Sequence, residues 1–343
     1  MESINLPLIW AALLSIAVFM YVLLDGFDLG IGILFPFAHK DEDRDLMMTS
    51  VAPVWDGNET WLVLGGGGLF AAFPKAYAAL MPSIYMPVGF MLIALIFRGV
   101  AFEFRFSSTG IMRRVWDQAF HWGSVVAAFS QGLILGAMVQ GIPLVDGRHA
   151  GSMFDWLTPF SFFTGCALVW GYALLGSTWL IIKTENELLD WSHKMAKAST
   201  IIVIVCMIIV SLAVPLMDVT AANRWGIHYP HIDWSILLPL APIPVLTAIC
   251  CWQLVQSLYS RKSHHKPFIF SIMIFALGYI GLIFSFYPYI IPYSLTIHDA
   301  AAAHNAQALL LVGALILLPL ILAYTAYVYW VFRGKVDMHA GYH

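Results

Sequence analysis

The sequence predicts an all-α polytopic membrane protein with nine transmembrane helices, its N-terminus outside and its C-terminus in the cytoplasm. Three observations carry that reading. Of 343 residues, 60% are hydrophobic and 11% charged, with a mean hydropathy of +0.80; soluble chains hold about 45–50% apolar and about 25% charged residues. Apolar windows long enough to cross a hydrocarbon core of about 30 Å recur along the chain. Lys and Arg gather in alternate connectors.

The windows fall at 6–37, 51–73, 82–104, 119–141, 158–182, 199–217, 234–258, 268–292 and 304–332. The segment MESINLPLIW has no Lys or Arg ahead of the first window and no small-residue cleavage site follows, so that window reads as a retained span rather than a signal peptide. HKDEDRD follows the first span, SSTGIMRRVWD the third, KTENELLDWSHKMAK the fifth, SRKSHHK the seventh and RGK the last. With alternating spans these segments share one side. They hold Lys40, Arg44, Arg98, Arg105, Arg113, Arg114, Lys183, Lys194, Lys197, Arg261, Lys262, Lys266, Arg333 and Lys335, against Lys75, Arg148 and Arg224 opposite: 14 of the 17 basic residues. Cytoplasmic loops collect positive charge, which sets the orientation. The connectors are too short for a soluble domain, so residues 1–343 read as a single transmembrane domain. A net charge of −3 with scattered basic residues gives no sign of a nucleic-acid partner.

Acidic residues inside this apolar frame are the main candidates for function. Asp25 and Asp28 lie in YVLLDGFDLGIGILF, and Asp56 and Glu59 in VWDGNETW, each pair at i,i+3 and so on one helix face. Counting about 1.5 Å per residue, Asp28 and Asp25 lie about 13 to 18 Å in from Phe37, and Asp56 and Glu59 about 9 to 14 Å in from Ser50. The four carboxyls are expected to form one cluster reaching inward from the cytoplasmic face. Carboxyls at such depth usually face a protein interior or a wet cavity and mark proton or ion pathways. A helix-capping role near water, with Thr49 and Ser50 as other caps, stays open for Asp56 and Glu59. Arg98 is the nearest expected counter-charge.

Gly65 to Gly68 follow no strand and precede no Lys-Ser/Thr, so close helix packing fits them better than a phosphate loop, as it does Gly26, Gly30 and Gly32. Trp55 and Trp61 are expected near a membrane interface. Cys166, Cys206, Cys250 and Cys251 sit in apolar runs without metal spacing and read as buried small hydrophobes. Of twelve histidines, His39, His149, His193, His228, His231, His264, His265, His339 and His343 fall in loops or the tail, and His121, His298 and His304 near span ends. A heme in a helix bundle needs an axial ligand deep in a span, so no heme or other metal is expected on this chain.

Several blocks resemble one family in order. LLDGFDLGIG, APVWDGNETWLVLGGGGLFAAFP, FRGVAFEFR, LTPFSFFTGCALVWGYALLGSTWLIIKTE, PYIIPYSLTIHDA and LILAYTAYVYWVFRGKV are similar to successive signatures of subunit II of the cytochrome bd-type quinol oxidases. The resemblance implies two four-helix bundles plus one helix. It also implies the non-heme half of a terminal oxidase in the bacterial inner membrane, which oxidises membrane quinol and reduces O2 to water. Hemes b and d, or b alone, would be held by the partner subunit I in a pseudosymmetric heterodimer; small accessory subunits join some members, and a structural quinone binds subunit II in some. Asp56 matches the acid assigned to a cytoplasmic proton pathway, with Asp25 and Asp28 beside it, while Glu59 stands where the family varies. Trp55, Asn58, Arg98, Glu103 and Arg105 match positions expected to form a structural ion network on the inner side. His298 departs from the pattern, where Trp is common. The alternative function is an independent proton- or cation-coupled transporter binding its substrate at the acidic cluster; such carriers more often show inverted repeats, and no second acid-rich segment pair is apparent.

Overall fold

The computed structural model describes residues 5–145, 147–217, 219–228 and 231–336. In chain order the helices are α1 (Leu6–Leu34), α2 (Asp41–Thr49), α3 (Trp55–Ala72), α4 (Pro74–Ser107), α5 (Gly110–Gln140), α6 (Pro159–Lys183), α7 (Asn186–Met217) and α8 (Val219–Arg224). There follow α9 (Trp234–Leu240), α10 (Pro242–Ser260), α11 (Lys266–Phe286), α12 (Ile297–Ala300) and α13 (His304–Val331). Three small antiparallel hairpins join them: β1 (Leu144–Val145) with β2 (Arg148–His149), β3 (Ile227–His228) with β4 (His231–Ile232), and β5 (Tyr289–Ile291) with β6 (Leu295–Thr296).

Among the described residues, eight segments are long and apolar enough to cross a membrane: Leu6–Phe37, Pro74–Ser107, Gly110–Gln140, Pro159–Lys183, Asn186–Met217, Trp234–Ser260, Lys266–Phe286 and His304–Val331. The expected nine thus become eight by this measure. The second window is α3, an 18-residue helix whose opening turns carry Asp56, Asn58 and Glu59 and whose centre is glycine. Its length, about 27 Å, suffices for a span, and its polar first turns and glycines leave it too low in mean hydropathy to be counted. The connector after α1 is also more ordered than a loop, since DEDRDLMMT folds as α2 and buries Met47 and Met48.

Contacts close two rings of four helices. One runs α1–α3–α4–α5 and back to α1; the other runs α6–α7–α10–α11 and back to α6. The rings meet where α1 and α5 lie on α6. The main core gathers there, with Phe27, Leu29, Ile31, Phe120, Tyr172 and Leu175 all buried.

Glycines permit that approach. A Cβ on Gly30 would lie 1.8 Å from the Tyr172 carbonyl oxygen, and one on Gly32 would lie 2.0 Å from Ser124 Oγ. The GGGG run uses the same freedom once: a Cβ on Gly68 would meet Leu14 at 2.4 Å, whereas Gly66 and Gly67 face open space.

Helix α13 is fastened mainly at its ends. Near its start Gln307 Nε2 donates to the Ala72 carbonyl at 3.0 Å, and Trp10 Nε1 donates to the Gln307 carbonyl at 3.0 Å. At the other end Lys183 Nζ donates to the Phe332 and Gly334 carbonyls, and Lys335 Nζ reaches the Thr184 carbonyl at 2.6 Å. At this arginine-rich end Lys40 also pairs with Glu187, whose hydrogen bond holds the exposed ammonium above its ordinary pKa.

Two expectations are corrected here. Cys250 alone of the four cysteines is buried; Cys166 is exposed and Cys206 and Cys251 are half-buried, because only part of each apolar helix faces protein. His193 lies within α7 rather than in a loop and is 2% exposed.

Gly30→Ala is expected to force α1 from α6 and lower stability by about 3 kcal/mol, the upper end for overpacking. Gly66→Ala, opening onto space, should leave it unchanged or slightly raised. Thermal unfolding of both variants in detergent checks the pair, and equal midpoints would contradict the close-packing role of Gly30.

Candidate functional site

Asp25 and Asp28 are one turn apart on α1, just where that helix becomes buried on every side. Both are 0% exposed. Across from them α4 supplies Arg98, also 0% exposed, and the opening turns of α3 supply Asn58 and Glu59. Arg98 Nη1 donates to Asp25 Oδ1 at 2.6 Å and Nη2 to Glu59 Oε2 at 3.1 Å. Asn58 Nδ2 donates to Asp28 Oδ2 at 2.7 Å and to the Leu24 carbonyl at 3.3 Å. Tyr329, from the last turns of α13, donates its hydroxyl to Asn58 Oδ1 at 2.9 Å.

Three carboxyls therefore gather around one guanidinium, and two of them are bonded to it. Asp25 has the cation directly, Glu59 shares it at the rim with a side chain 27% exposed, and Asp28 has a neutral amide in its place. Asp25 Oδ2, Asp28 Oδ1 and Arg98 Nε have no hydrogen-bond partner. Buried polar atoms left open are rare in folded proteins and mark sites where a proton, water or ion belongs. A carboxyl that no cation holds can take up or release a proton without breaking an ion pair.

Aromatic rings enclose the cluster. Trp55 stacks on Phe102 with centroids 4.7 Å apart and planes 3° apart, and the Arg98 guanidinium lies 5.9 Å from the Trp55 ring. Phe27, between the two acids in sequence, stacks on Trp179 at 4.4 Å and meets Tyr329 edge-on. Above the site, Tyr172 OH donates to Gln131 Oε1 at 2.6 Å and Gln131 Nε2 donates to Tyr21 OH at 2.8 Å.

The family model for cytochrome bd terminal oxidase subunit II matches residues 6–332. The chain belongs to that family. Cytochrome bd-I ubiquinol oxidase subunit 2 of Escherichia coli K12 is 28% identical, over 96% of this chain and 95% of its own. Cytochrome bd ubiquinol oxidase subunit 2 of Bacillus subtilis 168 is also 28% identical, over 96% of each chain. A chain of the bd oxidase structure from Geobacillus thermodenitrificans superposes with a TM-score of 0.76 at 17% identity, covering 96% of this chain and 99% of that one, a likeness of fold. This chain is thus a multi-pass membrane subunit of an oxidoreductase complex.

Two expected site residues of this subunit II chain stand apart from the cluster. Asp56 is exposed on the first turn of α3 and belongs to none of the ion pairs among the described residues. Helix α3 starts at Trp55, four residues later than the window at 51, so Asp56 sits at the mouth rather than about 9 Å inside. Thr49 and Ser50 finish α2 and cap nothing on α3, whose N-cap position is Val54. Glu103 is exposed and outside both ion networks. Trp61 is 3% exposed and packs against Ala17 and Tyr21.

The expected single network of Arg98, Glu103 and Arg105 is instead two. Arg105, 0% exposed and seven residues beyond Arg98, donates from Nε to Asp117 at 2.5 Å and from Nη1 to Asp45 at 2.6 Å. Arg113 also holds Asp45, and Arg44 lies 3.0 Å from Asp41 and 3.7 Å from Asp117. The acids come from α2 and α5, so residue spacing on α4 carries no trace of them. Tyr329, Gln131 and Tyr21 were likewise missed; Tyr329 is hidden in the aromatic run YTAYVYW.

Among the described residues no group of three or more His, Cys, Asp or Glu could hold a metal ion. His193 is within two turns of the start of α7, and His121 Nδ1 lies 3.0 Å from the Gly32 carbonyl; His339 and His343 lie outside the described residues.

Arg98→Met should destabilise the chain by about 3–5 kcal/mol, since it leaves buried carboxylates without their cation. Adding Asp25→Asn should recover a large part of that loss. A double-mutant cycle on unfolding midpoints checks this, and additive losses would contradict a direct Arg98–Asp25 coupling.

Proposed function

We propose that this chain is the non-heme subunit of a bd-type quinol oxidase and carries a proton route from the cytoplasm to the redox subunit. The curated relatives over nearly its whole length are named ubiquinol oxidase subunits, which supports ubiquinol as the reductant. In this reading subunit I is the partner and holds the hemes, b with d or b alone. The complex lies in the bacterial inner membrane. Helix α3 serves as the ninth span, with its polar turns turned to protein rather than lipid. The N-terminus is outside, as the excess of basic residues at one end supports.

The observation that carries the proposal is the enclosed set of Asp25, Asp28, Asn58, Glu59 and Arg98. Asp56 stands at its mouth, one turn from Glu59 on the same face of α3. Glu59, half-open, touches the guanidinium that also holds Asp25, and Asp28 lies one turn further along α1. A proton entering at Asp56 can pass to Glu59, then across the Arg98 pair to Asp28, where the amide of Asn58 and the hydroxyl of Tyr329 hold the carboxyl in place. Arg98 fixes the acids in space and offsets part of their charge, which lets them remain inside the membrane. Quinol oxidation and O2 reduction belong to the partner's redox centres.

An independent transporter would use the same acids as a substrate site, but a family match across residues 6–332 favours the oxidase subunit.

Asp56→Asn and Asp28→Asn are each expected to slow quinol oxidase turnover by about tenfold or more, with heme absorbance and co-purification of the larger subunit close to normal. Full turnover in both variants would remove these acids from the obligatory route. Loss of heme together with activity would make their role structural.

A further inference from the structure

At the arginine-rich end a cavity of about 500 Å³ opens between α2 and the start of α5, lined by Asp41, Arg44, Gly110, Arg113, Arg114 and Asp117 among others. It lies outside the acid cluster and the proton route makes no use of it. Its two carboxylates are already engaged: Asp41 by Arg44 at 3.0 Å, and Asp117 by Arg105 at 2.5 Å and Arg44 at 3.7 Å. Donors remain without partners. The Arg44 and Arg113 side chains, 24% and 28% exposed, each carry more N–H groups than their ion pairs use, and Arg114, exposed, belongs to no ion pair among the described residues.

The wall also includes the first turn of α5, a 31-residue helix whose N-cap, Thr109, makes no side-chain capping bond. Its leading amides thus have no cap from Thr109, and the positive end of the helix dipole lies at this wall. Guanidinium N–H groups beside an uncapped helix start suit the oxygens of a phosphate.

What lies beside the cavity decides the kind of phosphate. Ile111 is 82% exposed, Met112 55%, Val115 50% and Phe37 57%, so large apolar side chains border the charged pocket at the ends of two spans. A soluble anion has no use for that border, whereas acyl chains would cover it. We propose that this cavity binds the phosphate of an anionic phospholipid, with Arg44, Arg113, Arg114 and the α5 amides as donors and its acyl chains along Ile111 and Met112. The proposal goes beyond the proton route and stands or falls separately from it.

The test uses the purified oxidase complex, stripped of lipid by detergent and titrated with phosphatidylglycerol, phosphatidylcholine or inorganic phosphate. Bound lipid is counted by native mass spectrometry. Arg114→Gln removes no ion pair, so it should fold normally; Lys262→Gln at a distant basic loop is the control. The expected result is one phosphatidylglycerol retained by the wild type and the control, with retention about fivefold weaker in Arg114→Gln and unchanged quinol oxidase turnover. Equal retention in Arg114→Gln and Lys262→Gln would overturn the site. Inorganic phosphate displacing the lipid at millimolar concentration, or protecting the complex as well as phosphatidylglycerol does, would overturn the lipid as its ligand.

Discussion

The buried pair of Arg98 and Asp25 is the constraint on which the rest of the first helix ring depends. Removing either partner strands a charge in a low-dielectric interior, at a cost of several kcal/mol. Both must therefore arrive together, on α4 and α1, at one depth. Arg98 also reaches Glu59, so the same guanidinium fixes the height of α3. Three helices are registered by one side chain, and Asn58, Asp28 and Tyr329 then follow from that register.

Close glycine packing bounds this centre on one side. Gly30 and Gly32 bring α1 against α6 and α5 immediately beyond the acids, and Phe27 fills the space between the acids with its stack on Trp179. The polarity of α3 has its explanation here as well. A helix that turns Asn58 and Glu59 toward Arg98 gives up hydropathy along its first turns, and its glycines add little back. Its low apolar content is the counterpart of the site it builds.

Much of the surface is apolar without protein against it in a single chain, as expected for a membrane subunit of a complex. Cys166 faces outward and α13 has only Gln307 fully buried. That helix contributes nonetheless, because ties at both ends bring Tyr329 to Asn58. The arginine-rich end is built separately: Arg105 gathers acids from α2 and α5, and Arg44, Arg113 and Arg114 line a cavity beside them.

The sequence by itself determined the membrane class, the sites of the spans and the residues able to hold charge within them, because hydrocarbon admits long apolar helices and penalises every charge at depth. It also determined the family, through ordered blocks along nearly the whole chain. Asp25, Asp28, Glu59 and Arg98 were legible as a set for the same reason. Which acid met which cation was decided only by tertiary structure. Periodicity along one helix says nothing of the height or rotation of its neighbour, so the exposure of Asp56, the separation of Arg105 from Arg98 and the arrival of Tyr329 from the far end of the chain all waited on packing. The four cysteines show the same limit: an apolar run reveals that a residue avoids water, and only the fold tells whether it faces protein or lipid.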